Sequence, residues 1–197
     1  VIYNDTDTEV AELVDEFHNL HTKPVHPLPY NTALDGVVIL FENKEYPVKI
    51  IGEHNMQNMA GAMEICRQLG INISSFLEAM HDFTGAGKRL EKIHDTIKLT
   101  VFRDFAHSPS KVKASVKAVK DFYQDKKTIA KFYFIVDRLD LATQAKDEFI
   151  ARGLKVEMVS SKEDFINNIK TAGATAGNVG EQTITVVNIQ KFSTDSI

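Results

Sequence analysis

The chain has 197 residues, 43% of them hydrophobic, with a formal net charge of -4 and a pI near 6.0. That size and apolar content give a globular protein with a real core. The weakly acidic balance excludes a general nucleic-acid or membrane-surface binder, so no nucleic-acid and no membrane partner is expected. A single cysteine, Cys66, excludes an internal disulfide framework and a cysteine-based zinc site, and no metal ligands are assigned. No stretch reaches the roughly 18 apolar residues of a membrane-spanning helix, and a reducing cytoplasm is the expected compartment. The chain starts at Val1, without methionine and inside a predicted strand, which reads as a piece of a longer protein.

In chain order, Val1-Ile2-Tyr3 reads as a strand and residues 5–19 as a helix with Val10, Leu13, Val14 and Phe17 on its apolar face. Pro24, Pro27 and Pro29 mark a loop, and the runs 37–41 and 46–51, joined by residues 42–45, read as a β-hairpin. His18, His21 and His26 match no common metal spacing. A helix over 55–69 carries Met59, Met63, Cys66 and Leu69 inward, with Gly70 after it. Ser75 and Glu78 open a second helix with Phe76, Leu77 and Met80 inward. A domain boundary is predicted at the small-residue stretch 82–87. Beyond it come strands over 89–94 and 98–105, then a helix over 110–123 with Val112, Val116, Val119 and Tyr123 on one face. The near-continuous apolar run 129–136 reads as a strand covered on both faces. A helix over 140–152, a strand over 154–159 and a helix begun by Ser161 and Asp164 follow. A loose stretch over 171–180 precedes a last strand over 183–189. The alternation predicts an α/β fold with a mainly parallel sheet.

One polar constellation is hard to explain by packing. Gly52-Glu53-His54-Asn55-Met56-Gln57-Asn58 lies at a strand-to-helix junction, where free backbone N–H groups and the positive end of a helix dipole are presented. Asn55 and Asn58 share one helix face, and an amide offers the paired donor and acceptor that suit a purine edge. The alternative makes Asn55 an N-cap and His54 a surface residue. Asp104 and His107 fall at the carboxyl end of a predicted strand, where open α/β sheets place ligands. A carboxylate can accept ribose hydroxyls and a guanidinium can hold a phosphate in a forked geometry, so Asp104 with Arg89 suits a nucleotide. Ser108-Pro109 is accounted for as the start of a helix.

The order Gly-x-His-Asn-x-x-Asn, then Phe83-Thr84-Gly85-x-x-Lys88-Arg89-Leu90-Glu91, then Asp104-Phe105-Ala106-His107-Ser108-Pro109, resembles the Mur ligase family of peptidoglycan synthesis and recycling. The likeness runs over about residues 1–135 and is to the ligases acting on UDP-N-acetylmuramate, most closely the murein peptide branch and next the L-alanine-adding branch. The resemblance implies that residues 1–83 are the end of a central ATPase domain and residues 84–197 a Rossmann-like C-terminal ligase domain. It implies an ATP-dependent amide-bond-forming enzyme that proceeds through an acyl phosphate. UDP-N-acetylmuramate and an amino acid or peptide would be its substrates, with Mg held through the ATP phosphates. His54, Asn55 and Asn58 would then face adenine, Arg89 and Asp104 would contact ribose and phosphates, and His107 would serve the reaction near the incoming amino compound.

Departures from the family pattern are equally definite. No Gly-x-x-x-x-Gly-Lys-[Ser/Thr] loop occurs in the sequence, so the phosphate cradle and the metal ligands would lie outside it. Arg103 stands where relatives often carry an acid, and Asp137-Arg138-Leu139-Asp140 replaces a His- and Ser/Thr-containing segment. The expectation is a ligase fragment inactive alone. The alternative is a non-catalytic module that keeps the fold to bind a nucleotide, a sugar nucleotide or a protein.

Overall fold

The computed structural model describes residues 1–124, 130–159, 161–170 and 183–189. The stretch 171–180, read as loose from its composition, lies outside them. Two compact units divide the chain: residues 1–107 with 111–122, and residues 108–110 with the chain from Tyr123 onward.

In the first unit, β1 (Ile2–Asn4) pairs in parallel with β2 (Lys23–Val25), and between them runs α1 (Thr8–Asp15). Asp7 caps α1 by accepting from the Val10 N–H at 3.2 Å, as a short acceptor at an N-cap should. The helix is shorter than its apolar pattern predicts, and Leu13 and Phe17 are exposed. β3 (Tyr30–Thr32), β4 (Val37–Phe41) and β5 (Lys44–Val48) form an antiparallel sheet in that order. The β4–β5 turn is tighter than the four residues expected. Glu42 and Asn43 both take positive φ, at 50° and 61°, the pattern of a two-residue turn whose twist matches that of the flanking strands. Val37, Ile39, Tyr46 and Val48 point from this sheet into the core, joined by Ile50 and Ile51.

α2 (Glu53–Gln68) packs on β1 and β2 through Met56, Met59 and Ala60. The predicted inward face is therefore corrected: Met63 and Cys66 are half-buried and Leu69 is exposed, because the last turn of α2 runs past the strands. Gly70, at φ 80°, ends the helix as expected. Its N–H donates to the Arg67 carbonyl at 3.1 Å and the Ile71 N–H to that of Cys66 at 2.9 Å, which satisfies two orphan carbonyls. α3 (Ile73–Met80) is capped by Asn72, whose Oδ1 accepts from Ser74 and Ser75, and not by the Ser75–Glu78 pair. Leu77 is its buried anchor. β6 (Glu91–Asp95) and β7 (Thr100–Arg103) form an antiparallel hairpin with an irregularity between Lys92 and His94. α4 (Pro109–Tyr123) follows, with Pro109 at its first position and Val112, Val116, Ala118 and Phe122 buried.

The division departs from the expected boundary at 82–87, because the β6–β7 hairpin and most of α4 belong to the first unit; the second unit is a three-stranded parallel sheet with its helices. β8 (Phe132–Val136), α5 (Leu139–Ala151), β9 (Lys155–Val159), α6 (Lys162–Lys170) and β10 (Thr183–Asn188) build it in the strand order β8-β10-β9. α5 covers all three strands, and Phe149 meets Phe134 edge-on at 5.1 Å. The strand covered on both faces is β10, with Ile184, Val186 and Val187 buried, and not β8, which lies at the edge with Ile135 exposed. Ser161 caps α6 by accepting from the Asp164 N–H at 3.1 Å. Among the described residues, no helix is long and apolar enough to cross a membrane.

Candidate functional site

All six candidate residues belong to the first unit. Gly52 turns the chain from Ile51 into α2 at φ 92°, a region that side chains resist, and its carbonyl accepts from the Asn55 and Met56 N–H groups. A Cβ there would come within 2.4 Å of the Ala118 Cβ and 3.0 Å of His54 Cε1. Glycine is required by both strain and space. His54 is half-buried beside this turn. Burial pushes its imidazole below the ordinary value, and the Asp104 carboxylate, the opposing influence, pulls it back up. Asn55 is the third residue of α2 and not its N-cap. Its Nδ2 donates to the Ile51 carbonyl at 2.8 Å, tying the helix to the segment before it. Asn58 is exposed one turn further on.

Arg89 sits on a strained turn. Lys88 and Leu90 on either side of it take φ values of 59° and 46°, uncommon for residues with side chains. Five hydrogen bonds hold that turn, one of them from the Arg89 N–H to the Ala86 carbonyl at 3.1 Å. The Lys88 N–H donates to Glu91 at 2.8 Å, the Leu90 N–H to Asp104 Oδ1 at 3.3 Å, the Phe105 N–H to the Lys88 carbonyl at 2.9 Å, and Arg89 Nη1 to the Phe105 carbonyl at 3.3 Å. Glu91 also accepts from Arg103 Nη2 at 2.9 Å, and Arg103 holds its carboxyl below the usual range. The residue that departs from the family pattern thus has a local job. Asp104 Oδ2 takes a further bond from the Ser115 hydroxyl of α4.

His107 is exposed, its Nδ1 within 3.2 Å of the Phe105 carbonyl and its ring 5.7 Å from that of Phe105, which is itself 64% exposed. Asn55 and Arg89 line one cavity of about 20 Å³, room for about one water and not for a base. The structure brings His54 to Asp104, Asp104 to the Arg89 turn, and His107 to Phe105. It gives Asn58 no such tie. Sequence reasoning missed Ser115, and it placed Glu91 in a motif without giving it a role. Ser115 had a signal, a hydroxyl in the otherwise apolar stripe of Val112, Val116 and Val119. Among the described residues, no group of three or more His, Cys, Asp or Glu could hold a metal ion.

A family model described as Type III restriction enzyme, res subunit, matches residues 111–196, a stretch without a Gly-x-x-x-x-Gly-Lys-[Ser/Thr] loop. A UDP-N-acetylmuramate–L-alanine ligase of Brachyspira hyodysenteriae is 35% identical over 106 residues, covering 54% of this chain and 22% of that protein. Among solved structures, MurF of Acinetobacter baumannii superposes with a TM-score of 0.59 at 13% identity, over 98% of this chain and 50% of that one. Folylpolyglutamate synthase of Mycobacterium tuberculosis, complexed with ADP and AMPPCP, gives 0.56 at 15% identity, over 92% and 50%. The chain thus matches about a fifth of the curated relative's length and half that of the solved structures. The likeness is to the L-alanine-adding branch, which corrects the expected ranking of the murein peptide branch first. Three motifs in order, their sequence likeness to a muramate ligase and the shared fold lead to one conclusion: the chain is similar to the Mur ligase family.

Proposed function

We propose that this chain is the part of an ATP-dependent muramate–amino acid or peptide ligase that holds the adenosine end of ATP. Residues 1–83 close the central ATPase domain and residues 84–197 form the ligase domain. The observation that carries the reading is the clamped turn at Lys88-Arg89-Leu90. Backbone strain is maintained there by five hydrogen bonds, and the result is an exposed Arg89 on a turn that the Asp104 carboxylate holds through the Leu90 N–H. Strain of this kind persists where surroundings over-determine it, and it is found at ligand clamps. Arg89 offers a forked donor to phosphate, and Asp104, with acceptor capacity beyond its two protein bonds, accepts from ribose. His54, Asn55 and Asn58 form the adenine side along the first turns of α2. His107 lies toward the incoming amino compound.

ATP supplies the activation of the muramate carboxyl as an acyl phosphate, and Mg accompanies its phosphates. The contribution of this chain is to bind and orient the nucleotide, which is positioning and charge neutralisation. The phosphate loop belongs to sequence outside these residues, so the chain alone binds weakly and turns nothing over. The setting is cytoplasmic, with UDP-N-acetylmuramate and an amino acid or peptide as substrates of the whole enzyme. ADP titrated into the purified chain and followed by NMR is expected to bind in the millimolar range, about -4 kcal/mol. Arg89→Ala should weaken it about ten-fold, the value of a charge-assisted hydrogen bond. An affinity unchanged by Arg89→Ala takes this turn out of the site.

A further inference from the structure

Asp104 is the acid of the proposed site, yet both of its oxygens are already engaged by the protein. Oδ1 accepts from the Leu90 N–H, and Oδ2 accepts from the hydroxyl of Ser115, a half-buried residue two turns into α4. The two bonds face different tasks. The first reaches the strained turn that carries Arg89, and the second reaches a helix whose buried face, Val112, Val116 and Ala118, is fixed in the core of the same unit. A carboxylate bonded only to Leu90 could rotate about its side-chain torsions. Anchored on Ser115 as well, it has one orientation, and the Leu90 N–H and the Arg89 turn inherit it.

We propose that Ser115 is a positioning residue for nucleotide binding: its hydroxyl fixes the Asp104 carboxylate, which in turn fixes both the ribose acceptor and the Arg89 turn. Ser115 touches no nucleotide atom and acts through Asp104. Its hydroxyl hydrogen goes to Asp104, and the remaining acceptor capacity of that carboxylate is what the sugar meets. A satisfied polar network of this sort narrows a site to one geometry. A helical serine without such a partner would return its hydrogen to a carbonyl one turn back.

The inference rests on the nucleotide-binding reading above, and the test separates the two. The 197-residue chain and its Ser115→Ala, Ser115→Thr and Arg89→Ala variants are titrated by NMR with ADP and with 2′,3′-dideoxyadenosine diphosphate, after melting curves establish that each is folded. The unsubstituted chain should prefer ADP. Ser115→Ala should bind ADP about ten-fold more weakly and lose the preference for the ribose hydroxyls, whereas Ser115→Thr, which keeps the hydroxyl, should retain both. A purely structural role would lower the melting temperature of Ser115→Ala without changing the ratio between the two ligands. If Arg89→Ala weakens ADP binding and Ser115→Ala does not, or if Ser115→Thr fails as Ser115→Ala does, the positioning role is wrong and the binding reading stands. If the unsubstituted chain does not bind ADP, or Arg89→Ala leaves its affinity unchanged, the binding reading falls and this inference falls with it.

Discussion

Burial pushes the His54 imidazole below its ordinary value, and Asp104 opposes that shift without cancelling it. The unfolded chain therefore takes up this proton near the ordinary imidazole value of 6.5, and the folded chain only at lower pH. Stability contributed by neutral His54 is complete above about pH 6.5 and falls as the pH drops through that value. Denaturant midpoints measured at about pH 7.5 and 5.5 should fall further for the unsubstituted chain than for His54→Gln. Glu64 runs the other way. Arg67 donates to it twice, at 2.8 and 2.7 Å, with Gln68 adding a third bond at 3.2 Å, and its carboxyl is held at about 2 instead of 4.5. Its contribution is present above pH 4.5 and lost as the pH falls toward about 2. Glu64→Gln should thus be destabilised at neutral pH, with the gap to the unsubstituted chain closing in acid. The His54 behaviour was not legible in sequence, because it depends on burial and on the distant Asp104, whereas the Glu64 partners Arg67 and Gln68 stand at helical spacing.

At the scale of elements, the test falls on α2 and α3. Leu77 is buried on α3, so Leu77→Ala should cost about 2–5 kcal/mol by chemical denaturation. Leu69 is 74% exposed, and Leu69→Ala should change stability by no more than about 0.5 kcal/mol. Equal effects would mean that α2 is rotated from the phase described. That phase shows why periodicity succeeds in part. Met56, Met59 and Ala60 form an inward stripe, but apolar residues continue to Leu69 beyond the strands the helix packs on, and a periodic pattern does not record where its partner ends. Helix and strand positions were legible for most elements, the α2 C-terminus to within one residue because Gly70 has a local reason to be there, whereas β2 and β3 fall in the stretch read as a proline-marked loop. β8 and β10 show the opposite. The apolar run 129–136 looked central, yet its strand, β8, lies at an edge, while β10, with Thr185 and Asn188, is central. Strand order is set by crossovers between distant segments, which composition does not encode.

For the molecule as a whole, the likeness to the Mur ligase family was legible because three motifs keep their order, and the α/β fold was legible in the alternation of its elements. The site was legible as a set of residues and not as a network: His54, Arg89 and Asp104 were named, but the Ser115 hydroxyl that holds Asp104 was not, and Glu91 was named without its bond to the Lys88 N–H. No Gly-x-x-x-x-Gly-Lys-[Ser/Thr] loop is present in the sequence, so the purified chain given ATP, Mg, UDP-N-acetylmuramate and L-alanine should release no phosphate in a coupled assay. Turnover abolished by Asp104→Asn would reveal a second phosphate site within these residues. The close approach of Gly52 to Ala118 carries a consequence for descent. A left-handed turn at position 52 cannot accept a larger residue, so the freedom to vary lies wholly at position 118, and drift there is confined to the smallest side chains. Homologues that keep glycine at the start of α2 should keep alanine, serine or glycine facing it, a paired signature that links the strand-to-helix junction to α4 across two stretches of sequence with no motif in common.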